Sequence, residues 1–169
     1  MKKRIEKEFN SLKEKSVVLT ILPKDGFEKL NFHILKTILN QGVSGAYVSV
    51  NRPYDNLICV MKKNKVDHEN LLFIDCVSAS GEQEKCTFLG GSESLTNIGI
   101  ALEPVYKSAD HSFIFLDSLD GLSLYHKPEV IIRFARSLID RIRKSNMHGV
   151  MIGLHEDTDK KIIDKIIKT

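Results

Sequence analysis

Apolar positions along this chain change period repeatedly, and each change marks an element. Ile5, Phe9 and Leu12 recur at helical spacing within the charged opening MKKRIEKEFNSLKEK, which predicts an amphipathic helix over residues 1–15. VVLTIL (17–22) is a continuous apolar, β-rich run, the pattern of a strand covered on both faces. A helical stripe follows at Phe32, Leu35, Ile38 and Leu39, and Gly42 stops it. GAYVSV (45–50) reads as a second strand and LLFIDC (71–76) as a third; the helix between them, 53–65, opens at Pro53. The polar stretch 77–94 ends at an N-cap for a helix from about Leu95 to Tyr106. HSFIFLDS (111–118) is the fourth strand and GVMIGL (149–154) the fifth. Between them Pro128 opens a helix over 128–146 with Val130, Phe134, Leu138 and Ile142 on one face. A last helix, 157–168, is expected to be capped by Asp157 or Thr158.

Strict alternation of strands and helices predicts βαβ units, hence a three-layer α/β/α sandwich around a mainly parallel five-stranded sheet. The chain shows no repeat, linker or low-complexity segment, so residues 1–169 read as a single domain.

Composition narrows the class. Apolar residues are 42% and charged residues 28% of the chain, as in ordinary globular proteins. The formal charge of +3 is too small to argue for nucleic acid by itself. Cys59, Cys76 and Cys86 form no CxxC pair and two lie in apolar runs, which favours reduced thiols over a disulfide frame or a zinc site. The charged opening has no apolar core and does not read as a secretory signal. No apolar run approaches the roughly 20 residues that span a bilayer. A cytoplasmic protein without membrane contact is expected.

In an open parallel sheet, ligands bind beyond the carboxyl ends of the strands. The segments there are PKDGFEK, NRP, VSASG, DSLDG and LHED. FIFLDSLDGL is the most informative, because an apolar strand ending in a carboxylate, Asp117, matches the strand that orients magnesium and water in P-loop ATPases. A loop-capping role is the plainer reading of such an Asp. His155 also lies at a strand's carboxyl end. The triplets DHE (67–69) and HED (155–157) read as turn or cap residues before metal ligands, and FLGGSES (88–94) as a flexible loop before a backbone anion site at a helix start.

Several pieces together carry a resemblance. The run from Gly45 to Cys76 resembles the KaiC-like branch of the RecA superfamily, where a strand YVSF precedes acidic residues and Pro, a helix and a D…KLLFID segment. FIFLDSLDGLSLY, a helix rich in Arg and Leu, and GVMIGL continue it in the family's order, from Ser16 to Leu154. The resemblance implies a RecA-type ATPase core that binds ATP between subunits, with strand order 3-2-4-5-1. VVLTIL would then lie at an edge that something must cover or pair with, either the N-terminal helix or a second copy.

The family's phosphate-binding motif is missing. The P-loop G-x-x-x-x-G-K-[ST] needs backbone amides, a lysine and a hydroxyl. Aligned on the family's helix, Asn31 stands where the lysine is expected and Phe32 where the hydroxyl is expected. The preceding loop has one glycine, Gly26. The acidic residues after strand two are replaced by Asn51 and Arg52, neither of which can act as a general base. These departures predict a catalytically inactive KaiC/RecA-like domain with no catalytic residue, metal or cofactor, serving as an interaction or regulatory module with a protein partner or a second copy. A residual nucleotide or small-anion site built from Lys24, Gly26, Lys29, Arg52 and Asp117 is the alternative. Nucleic-acid contact through Arg133, Arg136, Arg143 and Lys144 is a third, but a solvated helix face is the usual explanation of such charges and no aromatic stacking platform accompanies them.

Overall fold

The computed structural model describes residues 2–11, 16–91, 94–155 and 158–169. Leu12, Glu156 and Asp157 lie outside them. Six strands are described: β1 (Val17–Leu22), β2 (Ser44–Ser49), β3 (Leu71–Asp75), β4 (Cys86–Phe88), β5 (His111–Asp117) and β6 (His148–Leu154). They form one sheet in the order β1-β6-β5-β2-β3-β4, and every pairing is parallel. The five expected strands keep the order the resemblance implied, but the sheet has six. The addition is β4, which lies within the stretch read as polar and pairs at the outer edge of β3.

The helices are α1 (Lys2–Asn10), α2 (Phe27–Leu39), α3 (Tyr54–Lys63), α4 (Leu95–Ala101), α5 (Glu103–Lys107), α6 (Leu119–Leu122), α7 (Pro128–Lys144) and α8 (Lys160–Ile167). The two-residue period of the strands sends side chains to two cores. Tyr47, Phe73, Phe113, Phe115, Val150 and Ile152 pack on one face with Phe9 of α1, Leu35 of α2 and Leu57 and Met61 of α3. Ala46, Val48, Ile74, Ile114, Leu116 and Met151 pack on the other face beneath α4 to α8. Both faces of the central strands are therefore apolar, which is why those strands read as unbroken apolar runs.

Two boundaries and one helix face differ from the sequence expectation. The single helix expected over 95–106 is two, because Pro104 enters at the start of α5. The last helix begins at Lys160 and is capped by Asp159, whose side chain accepts from the Lys161 amide at 2.7 Å; Thr158 is buried before it. The buried stripe of α7 runs through Ile131, Ala135, Leu138 and Ile142, with Val130 and Phe134 on its flank. No described helix is long and apolar enough to cross a membrane.

Candidate functional site

The carboxyl ends of β1, β2 and β5 converge with the start of α2. β1 ends at Leu22 and α2 begins at Phe27, so the turn is Pro23, Lys24, Asp25 and Gly26. Gly26 has φ 78, a left-handed conformation that glycine adopts at no steric cost. The turn closes on its own backbone: the Phe27 amide donates to the Lys24 carbonyl at 3.2 Å, and the Leu30 amide to Gly26 at 3.0 Å.

Asn31 follows one turn into α2. Its side chain turns inward and is only 2% exposed. Its Nδ2 donates to Asp117 Oδ2 at 2.9 Å and lies 3.5 Å from the Tyr47 hydroxyl. The Tyr47 hydroxyl donates to that same Asp117 oxygen. Tyr47 is fully buried and stacks on Phe115, with centroids 5.2 Å apart and planes 11° apart. Burial raises the Asp117 carboxyl above the ordinary range, against the opposing hydrogen bonds from Tyr47 and Asn31 and the charge of Arg52. Burial and the Asp117 charge together push the Tyr47 hydroxyl well above its usual range. Asp117 thus anchors a buried three-residue network that joins α2, β2 and β5.

The loop after β2 closes beside this network. Arg52 Nη1 meets Glu28 Oε2 at 3.1 Å, and Glu28 Oε1 also accepts from Asn64 Nδ2 at 3.4 Å. Glu28 sits in the first turn of α2, where a negative charge suits the helix dipole. Asn51 Nδ2 donates to Ser118 Oγ at 3.0 Å. The Asn51 side chain occupies space left by Gly121: a Cβ there would come within 2.0 Å of Asn51 Oδ1. The carboxylate of Asp120 accepts from the Leu154 amide at 3.2 Å, tying the loop after β5 to the end of β6.

The structure brings together only part of the expected residual site. Arg52 and Asp117 lie at its centre, although Arg52 is already paired. Lys24 and Lys29 are exposed at the start of α2, and no described residue pairs with them. Gly26 shapes the turn. Among the described residues no group of His, Cys, Asp and Glu is arranged to hold a metal. Asp67 caps a turn by accepting from the Glu69 amide at 3.1 Å, and His155 is exposed at the end of β6. Arg136 and Arg143 on α7 are tied to the end of the chain, through the Thr169 hydroxyl at 3.1 Å and the Thr169 carbonyl at 3.3 Å; Arg133 and Lys144 are exposed.

Glu28 and Tyr47 are the site residues that sequence reasoning missed. One signal was present for Tyr47: a buried tyrosine needs a partner for its hydroxyl. Tyr47→Phe is expected to cost about 1–3 kcal/mol at neutral pH, because Asp117 then loses a buried donor. That cost should shrink in acid, where a neutral carboxyl depends less on the donor. Unfolding of both proteins across pH checks this, and a pH-independent cost would mean that the carboxylate is not the partner that matters.

A parallel sheet with helices on both faces is a fold this chain shares with KaiC-like proteins. Comparisons with solved structures agree. KaiC-like protein PH0186 from Pyrococcus horikoshii OT3 matches with a TM-score of 0.70 at 14% identity, over 91% of this chain and 70% of that one. An uncharacterized protein, PH0321, from Pyrococcus horikoshii, in complex with an unknown peptide, matches with a TM-score of 0.66 at 16% identity, over 98% and 79%. The flagellar accessory protein FlaH from Methanocaldococcus jannaschii matches with a TM-score of 0.60 at 13% identity, over 98% and 73%. No family model and no curated protein sequence matches the chain.

Proposed function

We propose that this chain is a KaiC/RecA-like domain that does not hydrolyse ATP and acts as an interaction or regulatory module. The observation that carries the reading is the convergence of Tyr47 and Asn31 on one oxygen of Asp117. A carboxylate that orients magnesium and water must present its lone pairs to the cleft. Here one of the two Asp117 oxygens, Oδ2, is committed to two protein donors. The start of α2 supports the same reading. Glu28 places a carboxylate in the helix's first turn, paired with Arg52, where a nucleotide phosphate would need open amides and a cation. The four-residue turn has one glycine and offers no P-loop cradle. The residues present do not fit Mg-ATP, and no catalytic step is assigned to them. That PH0321 was solved with a peptide favours a protein partner for this fold.

The test is turnover and stability with Mg-ATP. No magnesium-dependent hydrolysis is expected, and no rise in melting temperature at millimolar Mg-ATP. A ligand at 100 times its Kd would add about 2.7 kcal/mol, a shift that is easily read. Turnover that disappears in Asp117→Ala would overturn the proposal. Lys24 and Lys29, exposed and with no partner among the described residues, favour one second reading, a small-anion site at the start of α2. Stabilisation by inorganic phosphate that is lost in a Lys24→Ala, Lys29→Ala double variant would establish it.

A further inference from the structure

β1 is the open edge of the sheet. Among the described residues it pairs with β6 alone, in the register Val17↔Gly149 to Leu22↔Leu154. The amides of Gly149 and His155 donate to the carbonyls of Ser16 and Leu22. The backbone groups of every second residue therefore face β6, and those of Val17, Leu19 and Ile21 face outward. Proteins blunt such edges with Lys, Pro, bulges or a covering element. VVLTIL has no charge, no proline and no bulge. α1 lies beside one face of β1, with Phe9 in the core, and no described residue of α1 hydrogen-bonds to the outward backbone groups of the strand. A groove flanks the edge on each face. One, of about 320 Å³, lies between β1 and Ile5, Glu8 and Phe9 of α1. The other, of about 310 Å³, lies between β1 and Ile166 and Ile167 of α8, and Ile167 is 68% exposed there.

Building on the interaction-module reading, we propose that the partner at this edge is a second copy of the chain, added through antiparallel β1–β1 pairing centred on Leu19. The outward groups are self-complementary. With Leu19 opposite the partner's Leu19, Val17 stands opposite the partner's Ile21, and Ile21 opposite the partner's Val17. Each pair can exchange two N–H···O bonds. A two-fold axis through Leu19 satisfies every outward group of Val17, Leu19 and Ile21 with the same groups of the other copy, as an isologous interface requires. Side chains of the added strand then alternate between the two grooves, Leu19 on the α8 side and Thr20 on the α1 side. Both α8 helices approach on one face, which covers Ile167. The two sheets become one continuous sheet with β4 at each end.

The test uses the full chain. Light scattering should show a concentration-dependent dimer. Leu19→Pro removes an outward amide and leaves the ladder to β6 intact, because edge positions with an outward N–H tolerate proline. It should raise the dimer's dissociation concentration by about 100-fold, since both bonds of the central pair are lost. Cross-linking keeps the proposal testable if that variant fails to fold. Paired residues of this kind stand about 5.5 Å apart at Cα, within disulfide reach. In a Cys59→Ser background, which removes the exposed native thiol, Leu19→Cys should form a disulfide dimer, whereas Val17→Cys should do so only together with Ile21→Cys. A chain that stays monomeric and does not cross-link at Leu19 would overturn the proposal. So would a dimer that persists unchanged in folded Leu19→Pro, or an edge that takes a foreign extended peptide while the chain alone remains monomeric. Mg-ATP turnover would defeat the module reading while leaving the cross-linking result standing, so the two failures are distinguishable.

Discussion

Phe115→Ala is expected to cost about 3–5 kcal/mol of unfolding free energy, the range for truncating a buried aromatic. Phe115 is 0% exposed in β5, which lies between β6 and β2. Its ring stacks on Tyr47, so truncation opens a void and also frees the ring whose hydroxyl holds Asp117. Backbone pairing on both sides restricts collapse into that void, which places the cost at the upper end for such changes. Asp117→Asn should cost much less, because its amide oxygen can still accept from Tyr47 in a position of similar shape. Chemical denaturation of both variants is the measurement. Equal losses, or a Phe115→Ala cost below about 1.5 kcal/mol, would contradict a tightly packed central strand.

The sheet was legible because its central strands are buried on both faces. FIFL carries that burial in composition, whereas VVLTIL has the same composition but forms a half-buried edge strand, with Leu22 its one buried residue. β4 was not legible for the opposite reason. Cys86, Thr87 and Phe88 form a three-residue edge strand, partly exposed and set among polar residues, with no period to detect. The helix boundaries moved where a local cap or proline decided them, at Asp159 and Pro104. The candidate site was legible only in outline. Asp117 stands out as a carboxylate at the end of an apolar strand, but its partners are remote in sequence. Tyr47 reads as one more strand residue until β2 and β5 are placed side by side. Arg52 reads as a charge of the wrong sign at an acidic position. Only the fold shows that Glu28, from the start of α2, supplies the opposite charge. Local patterns thus pick out Asp117 and Arg52, and the tertiary pairing supplies their partners Tyr47, Asn31 and Glu28.

Asp75 carries the second large effect, and it concerns the loops beside the site. It ends β3 and is 1% exposed. Its carboxylate accepts from the Tyr54 amide at 2.8 Å, the Val77 amide at 2.7 Å, the Ser78 amide at 2.9 Å and the Ser78 hydroxyl at 2.6 Å. One side chain therefore fixes the start of α3 and the turn after β3. Asp75→Ala leaves three backbone amides without this acceptor and should cost roughly 3 kcal/mol or more, at about 1 kcal/mol for each. Burial opposes the charged form of Asp75, but the bonds from the Ser78 side chain and from the Ser78, Tyr54 and Val77 amides outweigh it and hold the carboxyl below its ordinary range. Its stabilising contribution is therefore present above the unfolded carboxyl pKa of about 3.9 and is lost as pH falls through the lower folded value. Asp117 has the opposite sign. Its folded pKa is raised, so its contribution is present in acid and is lost as pH rises through the folded value. Asp75→Asn should accordingly flatten the acid limb of the stability curve, and Asp117→Asn should flatten the decline on the higher-pH side. Unfolding free energies across pH for the unmodified chain and the two variants are the check. An acid limb that Asp75→Asn leaves unchanged would show that the carboxylate does not hold these loops.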